Sequence, residues 1–295
     1  MQWFHPSKMA RLSASRIALV LALFSSAFVN LVYAADNPPP HGLIYQDATV
    51  HPLQKAALLT HLSQSNNSLE LISLKTSDNI TLNGIKMLNP HAHANVVFYA
   101  GNGLTIARIA GYLESYAQLP INMVWFDYRG TGASERSAEV NMPMLQQDAL
   151  LVFDSAQKLL PAKLPTVVNG MSMGSLIAPF VAQQRPVDGM VLDSAIEDMP
   201  QLVMNMMHIT DPSQLKLPPQ VRAIDNKPVL AALHQPLLLL EGEQDKLTPP
   251  AMAQHLYQAS AAEYKELQII PGIGHAQPMA TPQGVKGFAQ FLAHL

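Results

Sequence analysis

Thr166-Val167-Val168-Asn169-Gly170-Met171-Ser172-Met173-Gly174-Ser175 carries more structural information than any other stretch of this chain. A β-branched run suited to a strand passes into G-x-S-x-G, and Leu176-Ile177-Ala178 then continues as a helical pattern. That is the pattern of a nucleophile elbow. Glycines two before and two after the serine let a sharp strand-to-helix turn close, so that Ser172 sits strained with its Oγ exposed above the sheet. With 19 serines and 15 glycines in 295 residues, chance gives such flanking roughly 0.05 times, so the weight rests on the strand before and the helix after. Pro179 falls several residues inside that helix, where its missing N–H predicts a kink.

The chain has 295 residues, 48% of them hydrophobic, which is ample for one large core and one or two domains. Residues 1–34 stand apart from that core. Lys8, Arg11 and Arg16 form a positive start, Ile17 to Val29 is apolar but for serines, and Val32-Tyr33-Ala34 suits a cleavage site. Asp36-Asn37-Pro38-Pro39-Pro40 follows as a helix-breaking linker. These features predict a cleaved export signal and a periplasmic or secreted protein of residues 35–295. The alternative is an uncleaved membrane anchor, which the 18-residue run from Ile17 to Ala34 is just long enough to make. Removing the three leader cations from 18 leaves 15 basic against 21 acidic residues, a net charge near −6. That balance, with no basic run, argues against a nucleic-acid partner. Zero cysteines exclude a disulfide frame, thiolate chemistry and a Cys-based zinc site.

Beyond the linker, Gln54 to Leu62 has a weak helical pattern. Leu69 to Lys75 and Ile80 to Met87 read as strands of an antiparallel hairpin at one sheet edge. His91 and His93 make an H-x-H pair with no carboxylates nearby in sequence, which reads as surface histidines rather than a metal site. Short apolar strands then alternate with helices. The strands are Val96 to Tyr99, Met123 to Phe126, Val167-Val168, Gly189 to Leu192, Pro236 to Leu240 and Leu267 to Ile270; the helices are Leu104 to Ala117, Met142 to Leu160 and Thr281 to Leu295. Continuous apolar strands alternating with helices predict an α/β fold with a mostly parallel sheet covered on both faces. A ligand site in such a sheet lies beyond the carboxyl ends of the strands.

Three polar residues fall at strand ends in the order Ser172, Asp245, His275. A serine hydroxyl is a poor nucleophile at neutral pH, so a neutral imidazole must take its proton and a carboxylate must hold that imidazole in the right tautomer. His275 sits in the glycine-rich loop Pro271-Gly272-Ile273-Gly274-His275. Asp245 follows the Leu237 to Leu240 strand and competes with Glu243 and with Asp193, which ends the preceding strand. An acyl-transfer intermediate also needs backbone donors for its oxyanion. The Met173 N–H, at the start of the helix after the nucleophile, is one candidate. Asn102, flanked by Gly101 and Gly103 after the Val96 to Tyr99 strand, is the other.

With these residues in hand, the chain resembles serine hydrolases of the alpha/beta hydrolase superfamily, most closely the monoacylglycerol-lipase-like and serine-aminopeptidase-like branch. The matching marks are Gly101-Asn102-Gly103, Asp127-Tyr128-Arg129-Gly130-Thr131-Gly132-Ala133-Ser134, Gly170-Met171-Ser172-Met173-Gly174, Glu243-Gln244-Asp245 and Gly274-His275. By this resemblance Asp127 and Arg129 are scaffold residues. Ala100 stands where the family usually has histidine, which keeps the backbone donor but removes a side chain that helps pin its loop.

Ser194 to Gln235, where such proteins insert a lid, carries Met199, Met204, Met206 and Met207. An acyl-binding wall and a helix packed on the core are both open readings of it. The expected function is a cofactor-free, metal-free serine hydrolase acting on a small-molecule ester or acyl substrate. A peptidase, amidase, thioesterase or acyltransferase could use the same three residues, although nothing in the sequence marks a site for a peptide's charged terminus. A non-catalytic binding role is the contrasting class. The intact Ser-Asp-His set argues against it, and only Ala100 favours it.

Overall fold

The computed structural model describes residues 44–295; the expected leader and proline-rich linker lie outside the described residues. Eight strands form one sheet: β1 (Ser68–Lys75), β2 (Thr81–Leu88), β3 (Ala94–Tyr99), β4 (Ile121–Phe126), β5 (Thr166–Met171), β6 (Gly189–Asp193), β7 (Leu237–Gly242) and β8 (Lys265–Ile270). Their order is β1-β2-β4-β3-β5-β6-β7-β8. The β1–β2 hairpin pairs antiparallel in the register Ser68↔Leu88, at one edge as expected, and β2 runs antiparallel to β4. All the other pairings are parallel.

The apolar runs of β3 to β7 are buried at every position, because both faces of the sheet are covered. Successive side chains point to opposite faces and so build two layers. Val97, Val124, Val168, Leu192 and Leu239 pack with Phe153 of α3 (Met142–Leu159) and Ile177 of α4 (Gly174–Gln184). Val96, Phe98, Trp125, Val191 and Leu238 pack with Tyr116 of α2 (Tyr112–Tyr116) and with Phe288 and Phe291 of α9 (Pro282–Leu292). The chain leaves β3 toward β4, then crosses back to place β5 on β3's other side. The carboxyl ends of β3 and β5 therefore adjoin at a point of reversed strand order, where connecting loops diverge and leave a crevice.

The other helices are α1 (Lys55–Thr60), α5 (Met199–Met207), α6 (Pro219–Arg222), α7 (Lys227–Leu230) and α8 (Pro250–Ala259). One sequence expectation changes, and one helix is added. The helix expected over Leu104 to Ala117 is helical only at Tyr112–Tyr116, preceded by turns. Asp127 Oδ1 takes the Ile106 N–H at 2.7 Å, Arg108 turns back to the Gly103 carbonyl at 2.9 Å, and Gly111 adds the flexibility of a poor helix former. Helix α8, unanticipated, begins with Pro250 at its first position and buries Met252, Ala253 and Leu256.

Pro179 does lie inside α4. Its missing N–H would have bonded the Ser175 carbonyl; Asn226 Nδ2 occupies that acceptor instead at 2.8 Å, and the Ile196 carbonyl at 2.9 Å. Among the described residues, no helix is long and apolar enough to cross a membrane.

Candidate active site

Ser172 stands between β5 and α4 with φ 50°, a left-handed backbone that costs a serine of order 1–3 kcal/mol. Its N–H bonds the Asp193 carbonyl at 2.9 Å and its carbonyl accepts from Ser175 N at 2.8 Å, so neighbours hold that strain in place. The two flanking glycines serve another need. A Cβ on Gly170 would meet the Gly174 carbonyl oxygen at 2.2 Å, and one on Gly174 would meet the Tyr99 carbonyl oxygen at 1.9 Å. Thus G-x-S-x-G permits strand and helix to approach closely, while the serine itself adopts the left-handed turn.

Three of the singled-out residues converge on one point. Ser172 Oγ lies 2.9 Å from His275 Nε2, and His275 Nδ1 lies 2.7 Å from Asp245 Oδ2. Asp245 ends the turn after β7, where its Oδ1 accepts from Leu247 N at 2.8 Å and Thr248 N at 2.9 Å. Thr248 Oγ1 donates to Asp245 Oδ2 at 2.8 Å and sits 3.0 Å from His275 Nδ1. Burial pushes the Asp245 carboxyl up, but the hydrogen bond and charge of His275, with the Thr248 contacts, outweigh it and hold it below the ordinary value. Thr248, fully buried, is a member of this cluster that sequence reading missed; an Asp with a threonine three residues on is a common turn and gives little warning. Of Asp245's two competitors, Glu243 is exposed and caps Gly272 N at 3.0 Å.

Asp193 lies beneath the histidine loop, fully buried, and accepts from Ser194 Oγ at 3.0 Å. Burial pushes its carboxyl up to about 7, opposed by that hydroxyl and by the charge of His275. Ser194 Oγ also takes the Ala276 N–H at 2.8 Å, and Tyr112 Oη donates to the Ala276 carbonyl, so the residue after His275 is held at both its backbone groups. Glu241 is buried at the end of β7. One oxygen accepts from Gly242 N at 3.0 Å, and the other has no partner among the described atoms. Burial, then the charges of Asp245 and Asp193, push its carboxyl up to about 10, so it is neutral at pH 7.

Helix α4 begins at Gly174 with Met173 as its N-cap residue, which leaves the Met173 N–H at the helix end that lacks intrahelical acceptors. The Ala100–Gly103 loop flanks the same serine, for a Cβ on Gly101 would lie 3.3 Å from Ser172 Cβ. Asp127 takes two backbone donors, Ile106 N at 2.7 Å and Ala133 N at 2.9 Å, and burial pushes its carboxyl up to about 7. Gly132 passes so close that a Cβ there would meet Asp127 Oδ2 at 2.2 Å. Arg129 is clamped between Asp148 at 2.6 Å and Asp78 at 2.7 Å. Both side chains bind scaffold and neither reaches the serine.

The Ser194–Gln235 stretch folds into α5, α6 and α7 and is stitched to the elbow helix by Asn226 and by Ile196 N, which donates to Ser175 Oγ at 2.9 Å. Met199 is buried, whereas Met204, Met206 and Met207 are half-exposed. Asn205 ties α5 to the Leu247 carbonyl at 3.0 Å, next to the Asp245 turn. His91 and His93 are exposed, and among the described residues no three His, Cys, Asp or Glu side chains converge as metal ligands.

A family model described as serine aminopeptidase, S33, matches residues 90–228. An uncharacterized protein of Mycobacterium tuberculosis is 28% identical over 164 residues, 54% of this chain and 55% of that protein; the match thus spans about half the length of that relative. Among solved structures, an esterase of Pyrococcus furiosus superposes with a TM-score of 0.66 at 17% identity, covering 85% of this chain and 97% of that one. An alpha/beta hydrolase of Penicillium superposes with a TM-score of 0.59 at 15% identity, covering 77% of this chain and 98% of that one. Together with the eight-stranded sheet, these likenesses show the fold, and the family match supports a hydrolase.

Proposed function

We propose that this chain, an alpha/beta hydrolase by fold, is an exported serine hydrolase that cleaves carboxylic esters through an acyl-enzyme intermediate. The observation that carries the reading is the unbroken line of hydrogen bonds from Ser172 Oγ to His275 Nε2, 2.9 Å, and from His275 Nδ1 to Asp245 Oδ2, 2.7 Å. With Nδ1–H donated to Asp245, Nε2 keeps the lone pair that accepts the Ser172 proton as Oγ bonds to the ester carbonyl carbon. The carbonyl π pair moves to oxygen, and the Met173 and Asn102 N–H groups stabilise that charge. Collapse breaks the carbon–oxygen bond to the alcohol, which takes the proton from Nε2. Water then repeats the sequence on the acyl-serine, releasing a carboxylic acid and restoring Ser172.

The test is release of p-nitrophenol from acetate, butyrate, octanoate and palmitate esters by wild type and Ser172→Ala, with fluorophosphonate labelling of Ser172. Hydrolysis and labelling by the wild type, both lost in the variant, are expected. A wild type that does neither is a binding protein and not a hydrolase. The serine aminopeptidase match favours a second reading, amide cleavage, which aminoacyl p-nitroanilides would report in the same assay. Export rests on residues 1–34, and the intact mass of protein from expressing cells should lack them.

A further inference from the structure

The loop beside Ser172 lacks a polar side chain at Ala100, yet it is fastened at three successive points. Tyr128 Oη donates to the Ala100 carbonyl at 2.9 Å. Asn102 Oδ1 accepts the Tyr45 N–H at 2.8 Å. Arg108 Nη1 donates to the Gly103 carbonyl at 2.9 Å. Two of these three contacts lead to the first described segment of the chain, residues 44–51. The second guanidinium nitrogen of Arg108 bonds Asp47 Oδ1, and the guanidinium lies 5.1 Å above the Tyr45 ring. Asp47 is buried, and its other oxygen takes the Gly132 N–H at 2.7 Å. The segment is itself laid down along the glycine turn by Asp47 N to the Gly130 carbonyl, 2.8 Å, and His51 N to the Gly132 carbonyl, 2.7 Å.

We infer that Arg108 and Asp47 are positioning residues for the oxyanion: with Tyr45 they form a strap that holds the Ala100–Gly103 loop where the Asn102 N–H meets the charge developing on the substrate. The inference rests on the serine-hydrolase reading. Its physical basis is that an oxyanion donor acts through geometry fixed before the reaction, so a loop free to shift loses stabilisation of the transition state while ground-state binding is kept. Arg108 joins Gly103 to Asp47 as a rigid fork, with Nη1 on the Gly103 carbonyl and Nη2 on Asp47 Oδ1 and Tyr45 Oη. A lysine supplies one compact charge, which can keep the Asp47 pair but cannot span both.

That difference separates positioning from plain stability. Arg108→Ala, Arg108→Lys and Asn102→Ala would be compared with wild type for kcat and KM on p-nitrophenyl butyrate, for melting temperature, and for inhibition by butylboronic acid, whose tetrahedral serine adduct places an oxygen at the oxyanion position. The expected result is a fall in kcat of about 10- to 100-fold in all three variants, with KM within about threefold and boronate affinity weakened by the same factor as kcat. Arg108→Lys should keep the wild-type melting temperature and still lose kcat. The inference is overturned by variants with wild-type kcat, by a rise in KM alone, or by a loss that follows melting temperature and returns with lysine. Should wild type itself hydrolyse no ester and take no fluorophosphonate, the hydrolase reading fails and this one with it; an active wild type with unaffected variants sinks this one alone.

Discussion

Replacing Glu241 by glutamine should change how stability depends on pH, and the structure sets the size of the effect. Glu241 is fully buried among negative neighbours, and its carboxyl is pushed up to about 10 from an ordinary value of 4.5. Below pH 4.5 the folded and unfolded chains both hold its proton. Between 4.5 and about 10 only the folded chain does, so each rising pH unit costs the folded state about 1.4 kcal/mol from this group alone. Glutamine has nearly the same shape and no proton to lose. Equilibrium urea denaturation of wild type and Glu241→Gln at pH 6 and pH 8 therefore compares two proteins that share every other titrating group. Over that interval the variant should gain about 3 kcal/mol relative to wild type. Asp193 and Asp127, each pushed from 3.8 up to about 7, also cost the folded state stability as pH rises between those values, and both proteins carry them. Parallel stabilities at the two pH values would mean that Glu241 is ionised in the folded chain, and would refute the burial argument.

Thr248→Val keeps the shape and the backbone N–H of the Asp245 turn while removing the hydroxyl shared by Asp245 and His275. Its kcat on p-nitrophenyl butyrate should fall about tenfold with KM unchanged; unchanged kcat would remove Thr248 from the acid-base line. Asn226→Ala strips two buried carbonyls of their donor and should lower the unfolding free energy in urea by about 3 kcal/mol. Adding Pro179→Ala, which returns a helix N–H to the Ser175 carbonyl, should recover part of that loss, and strict additivity would show that Asn226 does not stand in for the proline.

The parts legible in the sequence are those written in short-range pattern. The valine-rich run into Gly170-Met171-Ser172-Met173-Gly174 reports a buried strand, a close approach and a helix within ten residues, and the ends of β7 and β8 lead directly to Asp245 and His275. What escaped depends on contacts between distant segments. The apolar spacing of Leu104 to Ala117 is helical, but Asp127 and the Gly103 carbonyl draw its first turns into another path. Asp193 reads as a competitor for Asp245 at the end of its strand, and nothing in the sequence singles out Glu241; the raised carboxyls of both follow from burial and from the charge of Asp245, which no local pattern encodes. The absence of a histidine at Ala100 was visible, whereas the strap opposite it joins residues 57 and 61 positions apart.

The distance along the chain between the proposed reacting groups has a consequence for biosynthesis. Ser172 and His275 are 103 residues apart, and the tyrosine that holds the loop after His275 bonds it across 164. Contacts of that span form late, after the intervening segments have packed. Synthesis from the amino end delivers β5, Ser172 and α4 well before β8 and His275. On the proposed mechanism, a chain cut ahead of residue 275 lacks its general base and loses most of its activity however well its sheet has formed.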